Sequence, residues 1–220
     1  ISTTRALLDI LAPHDIKLTA FVDSGYLMAL EKYRADHKAL QADYRKVSSQ
    51  VRYLAETGHE IGLHIHPHWE DSYWDGQCWV FDTARYKLSD FDDNAISDMI
   101  ARHIQALKET SGVSAEVFRA GGWCIQPFPP IGRGLKKAGI TTDSSTYPGG
   151  YYQSEHQYFD FREVPRFTTQ YSFTENPSRM EEEGERHVRG SRGRSHGVEH
   201  QSGVPVEELL VWRIPERPGR

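Results

Sequence analysis

Apolar residues recur along this chain with the period of an amphipathic helix in four separate stretches. We predict helices over residues 2–12, 36–57, 91–111 and 128–139. The second stretch shows the pattern most clearly, with an apolar stripe formed by Leu40, Tyr44, Val47, Val51 and Leu54. Gly58 and Gly112 follow the second and third stretches, and glycine commonly closes a helix. Pro129 and Pro130 fit the fourth helix only if they occupy its first turn.

Short β-rich apolar runs lie between these stretches. We predict strands over residues 16–22, 60–66, 115–120, 140–145 and 158–167. Runs of this kind are typical of parallel strands that are buried on both faces. The alternation of strands and helices therefore predicts a parallel α/β architecture, either an open sheet or a (β/α) barrel.

Polar residues capable of chemistry stand where three of these strands end. His64, His66 and His68 end the second strand, residues 119–123 the third, and residues 143–145 the fourth. In (β/α) barrels the reactive side chains come from the ends of strands and the loops that follow them. This coincidence at three strand ends predicts one functional site.

The length and charge of the chain narrow the classes of function. The 220 residues suit one domain with a sizeable core, and the formal net charge is -5. Since no basic stripe precedes residue 179, nucleic acid is not expected as the main partner. No apolar run approaches the roughly 18 residues of a membrane span, and no secretory signal is recognised. The compartment is therefore not predicted, with the cytoplasm as the default, and neither is the oligomeric state.

The composition changes abruptly after residue 178. The segment 179–220 is rich in Arg and Glu but contains no Lys, Ala, Thr or Asp, although all four are used freely upstream. Such a segment buries too little apolar surface to order itself. Two explanations stay open, a disordered linker and translation out of frame, and the abruptness favours the second. We predict one domain over residues 1–178 and a separate tail over residues 179–220.

The sequence GHEIGLHIHPHW, residues 58–69, places three histidines at alternate positions. On a strand, His64 and His66 face the side opposite to the apolar residues that alternate with them. Pro67 ends the strand and lets the chain turn, so that His68 can fold back toward His64. Neutral imidazole is the commonest metal ligand in proteins. The cluster predicts a metal site in which a carboxylate or water completes the coordination shell.

Two further motifs supply polar groups. In FRAGGWC, Arg119 precedes two glycines that allow close backbone approach, and its guanidinium could hold a carboxylate through two hydrogen bonds. In TDSSTYPGG, Asp143 stands at a strand end. Taken alone, Arg119 fits a surface turn equally well, and Asp143 fits a turn cap better.

The loop WEDSYWDGQCWVFD, residues 69–82, follows the histidines directly and is rich in Trp and acidic residues. Aromatic faces stack on sugar rings and carboxylates bind hydroxyl groups, so this loop is a candidate for a substrate wall. A small satellite hydrophobic cluster beneath the loop explains the same composition equally well.

Together these motifs resemble those of the polysaccharide deacetylase family, carbohydrate esterase family four, over residues 3–166. The most specific match is GHEIGLHIHPH to the family pattern GHEIGxHxxxH, while FRAGGW and GITTDSS resemble the third and fourth motifs. The resemblance implies a distorted (β/α) barrel with fewer than eight strands, its first strand missing from this chain. It also implies a bacterial-type, metal-dependent hydrolase of C–N bonds other than peptide bonds, which deacetylates N-acetylated sugars of a polysaccharide or glycoconjugate.

The resemblance also implies roles for individual residues. His64 and His68 correspond to the two metal-binding histidines, and zinc is the expected ion. Arg119 corresponds to the residue that holds the catalytic carboxylate, and Asp143 comes from the fourth motif. The residues expected to contact the carbohydrate substrate are His66, Trp69 and Trp123.

The chain departs from the family at two points. The family begins with a strand ending in two adjacent aspartates, the general base and the third metal ligand, whereas this chain begins in the helix that should follow. Asp23 is a poor substitute. The histidine motif that supplies the general acid is also absent from its expected place. We therefore expect this chain alone to be inactive. Two alternatives stay open, a non-catalytic carbohydrate-binding relic and an inactive gene fragment.

Overall fold

The parallel sheet predicted from the sequence is present in the structure, a computed structural model that describes residues 2–181 and 188–191. In chain order, the strands are β1 (Thr19–Asp23), β2 (Glu60–Ile65), β3 (Tyr73–Trp74), β4 (Trp79–Val80), β5 (Val117–Ala120), β6 (Thr142–Asp143), β7 (Gly150–Gln153), β8 (Tyr158–Phe161), β9 (Gln170–Phe173) and β10 (Val188–Ser191).

Five α-helices connect or flank these strands. They are α1 (Ser2–Leu11), α2 (Ser24–Tyr33), α3 (Lys38–Glu56), α4 (Asp93–Ser111) and α5 (Phe128–Lys137). Short 3-10 helices cover Ala12–His14, Pro67–Glu70, Leu88–Asp90 and Gly121–Trp123. Among the residues described, none of these helices combines the length and the apolar character that crossing a bilayer requires.

The main sheet has six strands in the order β1-β2-β5-β6-β10-β9. Every pairing in it is parallel except that of β9 with β10, which is antiparallel. Its edge strands β1 and β9 do not pair with each other within the part of the chain that the structure describes. The α/β fold class is therefore confirmed, and the sheet corresponds to a distorted or partial barrel rather than a closed one.

The core lies between the sheet and the helices packed on it. On β2, Ile61, Leu63 and Ile65 are all buried, which confirms that this side of the strand faces the core. Phe118 on the neighbouring β5 is completely buried beside them. Helices α3 and α4 pack against β2, and α4 packs against α5. The other side of β2 is thereby left for its polar residues.

Most predicted elements are confirmed, with shorter bounds at several ends. The helix over 91–111 runs from Asp93 to Ser111 and ends at Gly112, whose φ of 80° is left-handed as expected. Helix α2 and the strands β3, β4, β7, β9 and β10 were not predicted. The strand predicted over 158–167 is shorter, and it pairs with β7 in a separate hairpin rather than joining the main sheet.

The predicted tail is described only in part. Residues 188–191 form β10, which pairs with β6 and with β9. Residues 182–187 and 192–220 lie outside the described residues, so the boundary at residue 178 and both explanations of the tail stay predictions. Upstream, Cys78 is exposed, Cys124 is buried, and neither forms a disulfide.

Because Gly62 has no side chain, the ring of Phe21 on the neighbouring strand β1 can lie against the backbone of β2. A Cβ added at Gly62 would lie 2.7 Å from Cδ1 of Phe21, its partner in register on β1. We expect Gly62→Ala to lower the free energy of unfolding by about 1–3 kcal/mol, because the inserted methyl overpacks this contact. Chemical denaturation measures the change.

The matched control removes the opposing ring. In a Phe21→Ala background, the added cost of Gly62→Ala should be much smaller, because the two residues touch and their effects are not additive. Equal costs of Gly62→Ala in both backgrounds would show that the Phe21 ring is not the obstacle.

Candidate functional site

The carboxyl ends of β1, β2 and β5 bring the candidate residues together. In the parallel register, Asp23 at the end of β1 stands beside His64 on β2, and His64 stands beside Arg119 on β5. These three residues lie on the side of the sheet opposite to the buried apolar residues of β2. The three strand ends that the sequence singled out belong to β2, β5 and β6, which are adjacent parallel strands, and Asp23 adds the end of β1.

His64 is oriented by a hydrogen bond to the neighbouring strand. Its Nδ1 lies 2.8 Å from the carbonyl oxygen of Arg119, and because a carbonyl only accepts, Nδ1–H is the donor. In a neutral ring this leaves the lone pair on Nε2, which accepts a hydrogen bond from Nε2–H of His66. An imidazole fixed in this way by a backbone carbonyl is the arrangement in which metal-binding histidines usually occur.

The Nε2 atom of His64 faces His66 at a distance of 3.0 Å. The two rings are nearly perpendicular, with centroids 4.6 Å apart. His68 lies in the short 3-10 helix that Pro67 begins after the strand. Its ring lies against His66 and stacks on Tyr86. The turn at Pro67 thus brings His68 next to His66, and it is His66 that contacts His64.

Burial keeps the three imidazoles neutral. Desolvation lowers the pKa of His64, His66 and His68, and it is the main cause for each; His64 lowers the pKa of His66 further, and His66 lowers that of His68. The nearby carboxylate of Asp23 acts in the opposite direction on all three. Neutral rings can offer a nitrogen lone pair to a metal ion at physiological pH.

The donor chemistry fits a zinc ion in part. Two nitrogens bound tetrahedrally to one zinc lie about 3.3 Å apart, close to the 3.0 Å between Nε2 of His64 and Nε2 of His66. Nδ1 of His66 and Nδ1 of His68 are buried without a hydrogen-bond partner. Over residues 2–181 and 188–191, however, no three His, Cys, Asp or Glu side chains converge as a complete ligand set.

Asp23, which pairs in register with His64, is held in place by two hydrogen bonds. One oxygen accepts a hydrogen bond from the backbone N–H of Tyr26 at 3.3 Å and caps α2. The other accepts from the indole N–H of Trp69 at 3.0 Å. Asp23 therefore contributes charge and local structure to the site.

A series of hydrogen bonds through Ser24, His103 and Glu70 holds the backbone of His64 in place. The hydroxyl of Ser24 donates to the carbonyl oxygen of His64 at 2.9 Å and lies 2.8 Å from Nδ1 of His103. Since that hydroxyl has only one hydrogen, His103 donates to it. Nε2 of His103 in turn lies 3.4 Å from a carboxylate oxygen of Glu70, whose pKa is held at about 2 by His103 and Arg102. Helices α2 and α4 thereby fix the end of β2.

Arg119 is held on the other side of His64 by the segment after β6. Its Nε donates to the carbonyl oxygen of Ser144 at 3.0 Å, and its Nη2 donates to the Ser144 hydroxyl at 3.1 Å. The guanidinium also lies 4.8 Å from the centre of the Phe21 ring. Arg119 is therefore a fixed, half-buried cation and not a freely moving surface side chain.

Asp143 is completely buried beneath this arginine. It accepts hydrogen bonds from the Ser145 hydroxyl at 2.6 Å and from the Ser145 backbone N–H at 3.0 Å. The Ser145 hydroxyl oxygen also accepts from the backbone N–H of Ala120 at 2.8 Å, which links the segment to β5. Burial raises the pKa of Asp143 to about 6, against the opposing effects of these bonds and of the Arg119 charge.

Trp123 is an exposed aromatic residue two positions after Gly121, which lies against His66. Its backbone φ is 60°, an uncommon left-handed value for a bulky residue, and its side chain is 43% exposed. Just before it, Gly121 lies so close to the strand that an added Cβ would be 2.8 Å from Nδ1 of His66. The two glycines of FRAGGWC thus have the predicted role of allowing close backbone approach.

The Trp-rich loop 69–82 packs largely on its own aromatic cluster. Trp69 lies between Tyr26 of α2 and Trp79, with ring centroids 5.4 Å and 5.2 Å away. Trp79 also contacts Trp74. Both interpretations of the loop stay open, because Trp69 packs in this cluster and also lies 5.5 Å from the His68 ring, with the exposed Phe81 5.9 Å from it.

Sequence reasoning missed three residues that hold the site together, namely Ser24, His103 and Tyr86. Ser24 and His103 are 79 positions apart, and no local pattern links them. Tyr86 stacks on His68 and lies under Gly122, but it comes from an irregular stretch between two predicted elements. No signal in the sequence marked these contacts.

Comparisons with known proteins were consistent with these motifs. A model of the polysaccharide deacetylase family matches residues 2–126. The chain is also similar to the crystal structure of a "putative polysaccharide deacetylase" from Mycobacterium smegmatis, with 19% identity and a TM-score of 0.47. That alignment covers 92% of this chain and 52% of the other, so the chain spans about half the length of that protein. The curated proteins contain no match.

The nitrogen spacing predicts which histidines bind zinc. We expect His64→Ala to weaken zinc binding by roughly 100-fold or more, because His64 is the fixed donor of the pair. If the 3.0 Å contact marks the second donor, His66→Ala weakens binding more than His68→Ala does. Competition with a zinc-binding dye measures all three affinities. A larger loss for His68→Ala would instead support the ligand pair implied by the family resemblance.

The buried carboxyl of Asp143 makes stability depend on pH. Because its folded pKa of about 6 exceeds the ordinary value of 3.8, the folded state holds this proton more tightly than the unfolded chain. The free energy of unfolding should therefore fall by up to about 3 kcal/mol as the pH rises from about 4 to 6, and no further above that. Denaturation of wild type and Asp143→Asn over this range gives the difference, which should disappear if Asp143 is ionised throughout.

Proposed function

This chain belongs to the polysaccharide deacetylase family, and we propose that its protein is a metal-dependent hydrolase that removes acetyl groups from N-acetylated sugars. Such a reaction cleaves a carbon–nitrogen bond that is not a peptide bond. The proposal is carried by one observation, the grouping of His64, His66 and His68 with Arg119 at the ends of adjacent parallel strands. All four residues lie within the span that matches the family.

In this proposal the histidines hold a divalent ion, with zinc the expected one. His64 supplies one nitrogen, and the second comes from His66 or from His68. The spacing favours His66, and the resemblance favours His68. The chemistry that such an ion supplies when bound is polarisation of the acetamide carbonyl and a lowered pKa of water. The carbonyl of Arg119 and the hydroxyl of Ser24 keep the His64 ring and backbone in place.

Arg119 provides this site with a fixed positive charge. Asp143 stabilises the end of β5, the strand that carries Arg119. The guanidinium of Arg119 is fixed by Ser144 and presents a cation next to His64. A fixed guanidinium can bind a carboxylate in two-pronged fashion, which orients that carboxylate for proton transfer. Asp143 holds Ser145, which binds the backbone of β5, so Asp143 acts on the site through the strand end.

We further propose that this chain alone turns over substrate poorly. Among the residues that the structure describes, no three metal-ligating side chains converge at the histidines, and Asp23, which pairs in register with His64, caps α2 and binds Trp69. An active site that lacks a ligand and its proton-transfer groups loses several orders of magnitude in rate, since even one lost oxyanion donor costs about 100- to 1,000-fold.

A second candidate function is binding of carbohydrate without catalysis. The observation that favours it is a pair of exposed aromatic rings, with Trp123 43% and Tyr147 39% exposed and their centroids 6.0 Å apart. Exposed aromatic surface of this kind commonly marks a ligand site. The two functions differ in whether the sugar needs the ion.

Sensitivity to a chelator separates the two functions. If an ion held by His64 contacts the acetamide group, zinc should strengthen the binding of an N-acetylglucosamine oligomer by roughly 10-fold, and a chelator should abolish this gain. In His64→Ala, zinc and chelator should have no effect. Isothermal titration calorimetry on both proteins measures the affinities, and acetate release is assayed in parallel.

Other outcomes redirect the proposal. Sugar binding that Trp123→Ala removes but a chelator leaves unchanged would favour the non-catalytic binding function. Acetate release by this chain that His64→Ala abolishes would support the hydrolase and contradict the expected inactivity. Absence of any binding or release by a folded chain would contradict both functions.

A further inference from the structure

Ser24, His103 and Glu70 are hydrogen-bonded in the order of a hydrolase triad. The Ser24 hydroxyl lies 2.8 Å from Nδ1 of His103, and Nε2 of His103 lies 3.4 Å from a carboxylate oxygen of Glu70. A triad serine attacks its substrate, so its hydroxyl must be reachable. Ser24 is 0% exposed, and its hydroxyl lies 2.9 Å from the carbonyl oxygen of His64. The series therefore serves the backbone of the candidate site and not nucleophilic attack.

The hydrogens of this series can be assigned from its contacts. The carbonyl oxygen of His64 only accepts, so the hydrogen of the Ser24 hydroxyl lies between these two oxygens. Nδ1 of His103 then donates to the Ser24 oxygen. Glu70 is also paired with Arg102 at 2.9 Å, and as an ionised carboxylate it only accepts. Nε2 of His103 therefore donates to Glu70, and the ring of His103 carries a hydrogen on both nitrogens.

A neutral His103 would leave one of these close contacts without a hydrogen. If the Ser24 hydroxyl donated to Nδ1 of His103, its oxygen would face the carbonyl oxygen of His64 at 2.9 Å through lone pairs alone. If Nε2 of His103 had no hydrogen, that nitrogen would face the carboxylate of Glu70 in the same way. Only the doubly protonated ring satisfies all three contacts.

The fold pairs the positive charge of this buried ring. His103 lies in α4 and is 1% exposed, and a buried cation is tolerated where it is paired and hydrogen-bonded. Its partner Glu70 is the last residue of the 3-10 helix that also carries His68. Arg102, next to His103 on α4, binds the other oxygen of the same carboxylate. The ion pair thus joins α4 to the turn that follows β2.

Ser24 stands at the point where β1 ends. Asp23 is the last residue of β1 and pairs with His64, and Ser24 begins α2. The Ser24 hydroxyl thereby offers a donor to the His64 carbonyl where the strand gives way to a helix. The ring of His64 is bound separately, through Nδ1, to the carbonyl oxygen of Arg119 on β5. Two neighbouring elements hold the backbone and the ring of His64, and together they fix the direction of its Nε2.

We infer that His103 is a positioning residue, a doubly protonated imidazolium that directs the Ser24 hydrogen to the His64 carbonyl and so holds His64 for ion binding. This inference rests on the proposed function, since that function assigns an ion to His64. Residues that orient a metal-binding histidine commonly change metal affinity by about 10- to 100-fold. His103 acts through Ser24, so its own effect should lie at or below the lower end of that range.

The first test reads the protonation of His103 in the zinc-free protein. At neutral pH, NMR of the ring nitrogens should show both nitrogens of His103 protonated, and His64 protonated on Nδ1. A His103 ring with a single hydrogen would overturn the inference, because either Ser24 would donate to His103 or the pair with Glu70 would be lost. This measurement needs only the wild-type chain.

The second test is a double-mutant cycle read out as zinc affinity. We expect Ser24→Ala to weaken zinc binding by roughly 10-fold and His103→Leu by roughly 3- to 10-fold, because each change loosens His64. In the Ser24→Ala background, His103→Leu should cause no further loss, since His103 acts through that hydroxyl. As a matched control, Ser111→Ala removes another buried hydroxyl, bonded to the carbonyl oxygen of Val113 at 3.0 Å, and should bind zinc like wild type. Thermal unfolding checks that each variant is folded.

The outcomes distinguish this inference from the proposed function. An equal loss for His103→Leu with and without the Ser24 hydroxyl would overturn positioning through Ser24. A loss in Ser111→Ala as large as that in Ser24→Ala would show a general loosening of the fold and would overturn it too. Both results leave the proposed function in place. A folded wild type that binds no zinc would instead contradict the proposed function, and with it the role of His103 toward the ion.

Discussion

The alternation of side chains along β2 is the constraint on which the rest of this structure depends. Leu63 and Ile65 are completely buried on one side of the strand, while His64 lies between them on the other. A slip of one residue in the pairing of β2 with β5 would exchange these sets, placing an imidazole in the core and two aliphatic side chains in the site. Core and site are therefore specified together, and neither can shift register without the loss of the other.

The titratable side chains around β2 are arranged so that they do not repel one another. Three imidazoles lie close together, and burial keeps them neutral, so they do not repel one another. Asp23 contributes negative charge at one side, and Arg119 contributes a fixed positive charge at the other. The guanidinium of Arg119 is held in place because it donates two hydrogen bonds to Ser144, one to the carbonyl oxygen and one to the hydroxyl. A cation placed there would otherwise turn toward solvent.

The sequence predicted the elements that have a clear period and the residues at their ends. The helix over 36–57 and the orientation of His64 on its strand were evident from spacing alone. Helix α2 was missed because its apolar residues, from Tyr26 to Leu30, are consecutive and form no stripe, although Asp23 is a recognisable N-cap. The contact of Ser24 with His103 was unpredictable in principle, since it depends on how two helices pack across the sheet. Which histidine faces His64 likewise depends on the turn after Pro67, whose direction a strand pattern does not determine.

The left-handed backbone of Trp123 has a consequence for how a ligand is recognised. For a bulky residue this conformation costs about 1–2 kcal/mol, and the fold bears that cost whether or not anything is bound. The indole is consequently presented before any ligand arrives, so binding does not have to order it. Glycine at this position would relax the backbone but would leave no ring. If Trp123 binds carbohydrate as proposed, selection for binding and selection for stability act on this residue in opposite directions.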